Sequence, residues 1–84
     1  MKKLYEADEN FIEELHVNIG KKVKQKREEA GLSQLQLSHA IEHKSVSLIA
    51  GAEIYYKKQH FSLEHLAKIA FVLDINIIEF FETD

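Results

Sequence analysis

Gly31-Leu32-Ser33-Gln34-Leu35-Gln36-Leu37-Ser38-His39-Ala40-Ile41, then Glu42-His43-Lys44, then Ser45-Val46-Ser47-Leu48-Ile49-Ala50-Gly51-Ala52-Glu53: this run decides the fold. Ser33 followed three residues later by Gln36 is a capping box, in which each side chain satisfies the other's orphan backbone N–H. Leu32 and Leu37 flank it at the spacing of a hydrophobic staple. The box opens a helix of about two turns, a polar three-residue turn follows, and a second short helix runs to Glu53. Two short helices so joined make a helix-turn-helix, whose second member fits a DNA major groove about 12 Å wide.

The same signals recur on either side. Ser62 opens a helix with Phe61 and Leu66 as its staple pair, and Asn76 opens another with Glu79 at the third position and Ile75/Phe80 as staple. Asn10 with Glu13 is a weaker fourth box. Gly31 supplies a left-handed stop for the helix before it. Five helices are expected, over 10–30, 34–41, 45–53, 63–73 and 77–82. In the first, Phe11, Leu15, Ile19 and Val23 recur every four residues, and in the fourth Leu63, Leu66, Ala67, Ala70 and Phe71 share one stripe. Proline is absent and only three glycines interrupt the chain, so the expected class is all-α. Residues 1–9 read as an acidic, flexible tail and 10–84 as one domain.

Eighty-four residues suffice for one small core, and without cysteine neither disulfides nor a zinc-finger pattern can staple it. The Met1-Lys2-Lys3 start is followed by Glu6, Asp8 and Glu9 where a signal peptide needs an apolar run, and no apolar stretch nears the roughly 20 residues that span a bilayer. A soluble, cytoplasmic protein without a membrane role is expected. The formal charge of −3 is unevenly spread. Residues 17–68 carry nine Lys/Arg against five Asp/Glu, net +4, whereas the two ends carry two lysines against nine acids, net −7. A basic middle permits DNA binding, although a solvated surface with ordinary charge clustering is the plain alternative.

The order of the motifs resembles one family. Ile19-Gly20-Lys21-Lys22-Val23, then Arg27-Glu28-Glu29-Ala30-Gly31-Leu32-Ser33-Gln34, is similar to the opening of a Cro/XRE (lambda-repressor-like) helix-turn-helix domain. Phe61-Ser62-Leu63-Glu64-His65-Leu66-Ala67-Lys68-Ile69-Ala70 resembles its fourth helix, and Asp74-Ile75-Asn76-Ile77-Ile78-Glu79-Phe80-Phe81 its closing turn and fifth helix. The resemblance implies a five-helix lambda-repressor-like bundle that binds double-stranded DNA as a transcriptional regulator, by family habit a repressor. It implies that Gln34 contacts a backbone phosphate and that Arg27 pairs with an acid at the end of helix three, here Glu53 if that helix carries one extra residue. Lys44, Ser45 and Ser47 would then lie nearest the bases, with Lys57 and Lys58 on phosphates and Lys26 as a further candidate.

Three departures stand out. Helix three lacks the long polar side chains that make bidentate contacts to base edges; serines and Val or Ala methyls remain. Glu42 replaces the usual turn glycine, and the Glu-x-Gly exit of helix three is gone. A helix-turn-helix fold acting on a protein partner, as an antitoxin or phage accessory protein does, is therefore the alternative function. The segment Ile54-Tyr55-Tyr56-Lys57-Lys58-Gln59-His60 is longer than the family's loop; it either grips phosphates through its lysines or is a solvated loop whose tyrosines cover the core edge.

Other chemistry has little support. His39 and His43 stand four apart, as two metal ligands would, but no third ligand is evident and helix two is expected to end between them. There is no Ser/His/Asp order with a nucleophile elbow, no phosphate-cradling glycine loop and no cysteine nucleophile, so neither enzyme activity, cofactor nor metal is expected. Ile75, Ile77, Ile78, Phe80 and Phe81 are dense for a short helix. Either part of that set forms a homodimer contact through the C-terminal helix, or all five are buried in a monomer.

Overall fold

The computed structural model describes residues 1–83 and is all helical among them. Four α-helices, α1 (Phe11–Glu29), α2 (Gln34–Ala40), α3 (Ser47–Glu53) and α4 (Leu63–Leu73), are accompanied by 3-10 turns at Leu4–Glu6, Tyr56–Lys58 and Ile77–Phe81. The helix expected over 77–82 is thus a single 3-10 segment. Asn76 Oδ1 accepts from Ile78 N–H, Glu79 closes back on Asn76 N–H, and Glu82 is already extended, which leaves no length for an α-helical ladder. Among the described residues no helix is long and apolar enough to cross a membrane.

Local capping sets the other boundaries. Ser33 Oγ accepts from Gln36 N–H at 3.0 Å while Gln36 Oε1 accepts from Ser33 N–H at 2.8 Å. Ser62 and His65 repeat the exchange at 3.1 Å in both directions, with the unprotonated Nδ1 of His65 as acceptor. At Asn10 the box does not form: its side chain caps nothing, and its N–H donates to Asp8 Oδ1. The third helix starts at Ser47 and not Ser45, because Ser45 Oγ accepts from Ser47 N–H and so caps the helix from outside.

The core gathers Ile19 and Val23 of α1, Leu37 of α2, Ile49 and Ala52 of α3, Leu66, Ile69 and Ala70 of α4, and Phe61 and Phe80. Two expected stripes are corrected. Of the α1 stripe only Ile19 and Val23 are buried; Phe11 and Leu15 are exposed because the first turns run past the core. In α4 the inward face is Leu66, Ile69 and Ala70 with Leu73 packed alongside, whereas Leu63 and Phe71 are 70% and 86% exposed. Of the five apolar C-terminal residues, Phe80 is buried, Ile75 and Ile77 are half-buried, and Ile78 and Phe81 are exposed. Gly20 is where α1 meets α3: a Cβ there would lie 2.6 Å from the carbonyl oxygens of both Ala52 and Glu53.

Helices α1, α2 and α4 all end in the same way. Leu32 N–H reaches Arg27 O, His43 N–H reaches Ser38 O and Ile75 N–H reaches Ala70 O, each closing over a left-handed residue: Gly31, Glu42 and Asp74 (φ 74°, 58° and 55°). Only the first is glycine. A left-handed L-residue costs about 1–2 kcal/mol, against about 0.4–1 kcal/mol of extra unfolded-state entropy for glycine. Glu42→Gly is therefore expected to raise stability by about 0.5–1 kcal/mol, read as a higher urea midpoint at unchanged slope. A lowered midpoint would contradict this account of the turn.

Candidate nucleic-acid interface

Three helices are tied together at one buried point. Arg27 Nε donates to Glu53 Oε2 at 2.8 Å and Arg27 Nη2 to Glu53 Oε1 at 3.1 Å, a two-pronged contact between side chains only 8% and 1% exposed. Arg27 Nη1 donates to the Leu32 carbonyl at 2.8 Å, and Gln34 Nε2 donates to Glu53 Oε1 at 3.0 Å. The hydrogen bond to Glu53 holds the guanidinium above even its ordinary high pKa. Among the described residues no buried side-chain polar atom lacks a partner. The end of α1, the start of α2 and the end of α3 are thereby pinned as one unit, directly beside the Gly20 contact. Gln34, read in the sequence as a phosphate contact, spends one of its two amide hydrogens on Glu53 and acts as part of the brace.

The turn 42–46 and the first residue of α3 face outward. Lys44, Ser45 and Ser47 are exposed, and Lys44 makes no ion pair among the described residues. The two serine hydroxyls are 2.6 Å apart, so one donates to the other and a single hydroxyl hydrogen is left to offer a ligand. His43 Nδ1 lies 2.9 Å from Ser45 O and 3.2 Å from Ser45 N, which fixes the turn. Beyond the serines, the exposed apolar group at this end is Val46.

The loop after α3 holds two further outward cations. Lys57 and Lys58 are exposed and free of ion pairs among the described residues; Lys57 Nζ sits 5.4 Å from the Tyr56 ring centroid. Tyr55, Lys57 and Lys58 are all left-handed (φ 55°, 50° and 66°), an unusual run for residues other than glycine. What holds the loop is a ring stack absent from the sequence reading. His16 lies 4.1 Å from His60 and 5.7 Å from Tyr55, and His60 Nδ1 is 2.9 Å from Lys58 O. Forty-four positions separate His16 from His60 in the chain, and no local pattern marks such a contact.

Lys26 is committed elsewhere. Its Nζ is 3.0 Å from Glu79 and 3.8 Å from Glu29, the bond to Glu79 raises its pKa, and the same bond lowers that of Glu79. It clamps α1 to the C-terminal turn and does not join the outward lysines. His43 meets the ring of His65 edge-on at 5.8 Å. No family model, curated protein or solved structure matches this chain.

Two outcomes follow from this geometry. Arg27→Ala leaves Glu53 buried and unpaired and is expected to cost about 3–5 kcal/mol, against less than about 0.5 kcal/mol for Glu28→Ala on the exposed side of the same turn. Small and equal losses in urea unfolding would remove the pair from its structural role. Burial first, then the charge of His60, lowers the pKa of His16; burial and then His43 lower that of His65. The unfolded chain thus takes up these protons at a higher pH than the folded one, near the ordinary 6.5. Stability is full above that value and is lost as pH falls through the folded values. The urea midpoint is expected to drop between about pH 7.5 and about pH 5.5, and less so in His65→Gln, where the amide oxygen can replace the Nδ1 acceptor.

Proposed function

We propose that this protein is a double-stranded DNA-binding transcriptional regulator of the Cro/XRE helix-turn-helix type, acting in the cytoplasm by occupancy and without catalysis. The observation that carries the reading is the buried Arg27–Glu53–Gln34 network, which fixes α2 and α3 as a unit while Lys44, Ser45 and Ser47 stay outward. In this proposal α2 and α3 are the two helices of the motif. At seven residues α3 is about 10 Å long and fits the major groove end-on.

Lys57 and Lys58 then take phosphates at the other end of α3. Affinity comes mainly from these contacts, and sequence choice from one serine hydroxyl, the Val46 methyls against thymine, and DNA shape. Repression follows by blocking an operator. A homodimer would match a palindromic site. The exposed Phe11, Ile12 and Leu15 on α1 favour the second reading, a protein-interaction module on the same scaffold.

Fluorescence anisotropy with duplex DNA at graded salt tests the first reading. A slope of log K against log[salt] of about −3 is expected for three to four phosphate contacts, and Lys57→Glu with Lys58→Glu should weaken binding to all sequences and shrink the slope by about 2. No binding at low salt, or a slope untouched by the double change, would favour the protein partner instead.

A further inference from the structure

α4 is two-faced. Its inner side packs on the core through Leu66, Ile69 and Ala70, while Leu63, Ala67 and Phe71 recur every four residues on a second face, turned about 110° from the first, all exposed. Phe71, at 86%, is more exposed than any other large apolar side chain within the four helices. This stripe is symmetric about its middle member, large–small–large, with Ala67 at the centre. Glu64 and Lys68 follow it along one edge. A shallow groove beside the stripe, lined by Ala40, Ile41, Phe71 and Val72 together with the charged Glu42 and Lys68, runs onto the end of α2.

We propose that α4 is the contact between two copies of this chain, packed antiparallel about a two-fold axis at Ala67. With a rise of about 1.5 Å per residue, Phe71 and the partner's Leu63 then stand at the same height, about 6 Å from the axis, on both sides. The small Ala67 lets the helices approach where they cross. In an antiparallel pair related by a two-fold axis, like edges face each other. Lys68 is thereby brought within about 3 Å, along the axis, of the height of the partner's Glu64. Two reciprocal ion pairs flank an apolar seam, the arrangement an isologous interface requires. A parallel two-fold pair would put the two Glu64/Lys68 edges on opposite sides of the seam, where neither ion pair can form. The C-terminal turn offers only Ile78 and Phe81, from a segment of five residues, so α4 with its groove is the larger apolar surface. The inference stands on α4 alone and does not need DNA binding.

Sedimentation equilibrium of the full chain, over micromolar to near-millimolar concentration, tests it. The chain is expected to dimerise, and Phe71→Glu to weaken the dimer by about tenfold or more with an unchanged helical spectrum. Glu64→Lys and Lys68→Glu should each weaken it, and the two together should restore it. The chain has no cysteine, so a single introduced one reports without background. Ala67→Cys should form a disulfide-linked dimer under mild oxidation, and Leu63→Cys alone should not. A monomer throughout, a dimer indifferent to Phe71→Glu, a double charge reversal that fails to rescue, or linkage through Leu63→Cys and not Ala67→Cys would each overturn the proposal.

Discussion

The buried contact between Arg27 and Glu53 is the constraint on which the rest of the molecule depends. Three helices end or begin at it, and two of them are only seven residues long. Helices that short have no stability of their own in water and hold their shape through tertiary packing. The ion pair is hydrogen-bonded on both prongs, with further bonds from Arg27 to the Leu32 carbonyl and from Gln34 to Glu53. A charge pair so deeply buried gains little net free energy over an apolar substitute, but it is costly to break from one side. What it contributes here is orientation. With Gly20 letting α1 touch the carbonyl oxygens of Ala52 and Glu53, the angle of α3 against α1 has little freedom.

That orientation matters because the outward side of α3 carries so little chemistry. Two serines bonded to each other, a valine and a neighbouring lysine cannot make the paired contacts with which arginine or glutamine read a base. Two exposed cations, Lys57 and Lys58, sit in the loop after α3, where three of four successive residues adopt left-handed geometry. Each such residue costs about 1–2 kcal/mol and persists where the surroundings over-determine it. The surroundings are the rings of His16, Tyr55 and His60, with the side chain of Gln59 laid over Gly51. In the proposed function, position and phosphate contact dominate and base reading is secondary. Lys26, tied to Glu79, adds to the integrity of the fold and does not join Lys44, Lys57 and Lys58.

Much of this was legible in the sequence where the determinant was local. The Ser33–Gln36 and Asn76–Glu79 boxes and the Ser62 helix start are local signals, and their staples mark Leu37, Phe80 and Leu66, all of which are buried. The contact of Arg27 with Glu53 was reachable only through a resemblance, because nothing local links residues 26 apart. Periodicity misled where a helix has two apolar faces. In α4, Leu63 and Phe71 fit a stripe with Ala67 as well as Leu66 and Ile69 fit theirs, and spacing alone does not say which one meets the core. It also misled at Phe11 and Leu15, since a repeat gives no signal of where the core beneath it ends. The closing 3-10 turn and the ring stack at His16 depend on chain length and on distant neighbours.

The central claim, that α3 and the loop behind it form a DNA-facing surface held by α1, is tested most directly by amide chemical-shift mapping with duplex DNA. The account expects perturbations at residues 44–48 and 56–58, with α4 around Phe71 unmoved and the Arg27 side-chain signals retained. Perturbations confined to residues 11–15 or to the outer face of α4, with residues 44–48 silent, would contradict it.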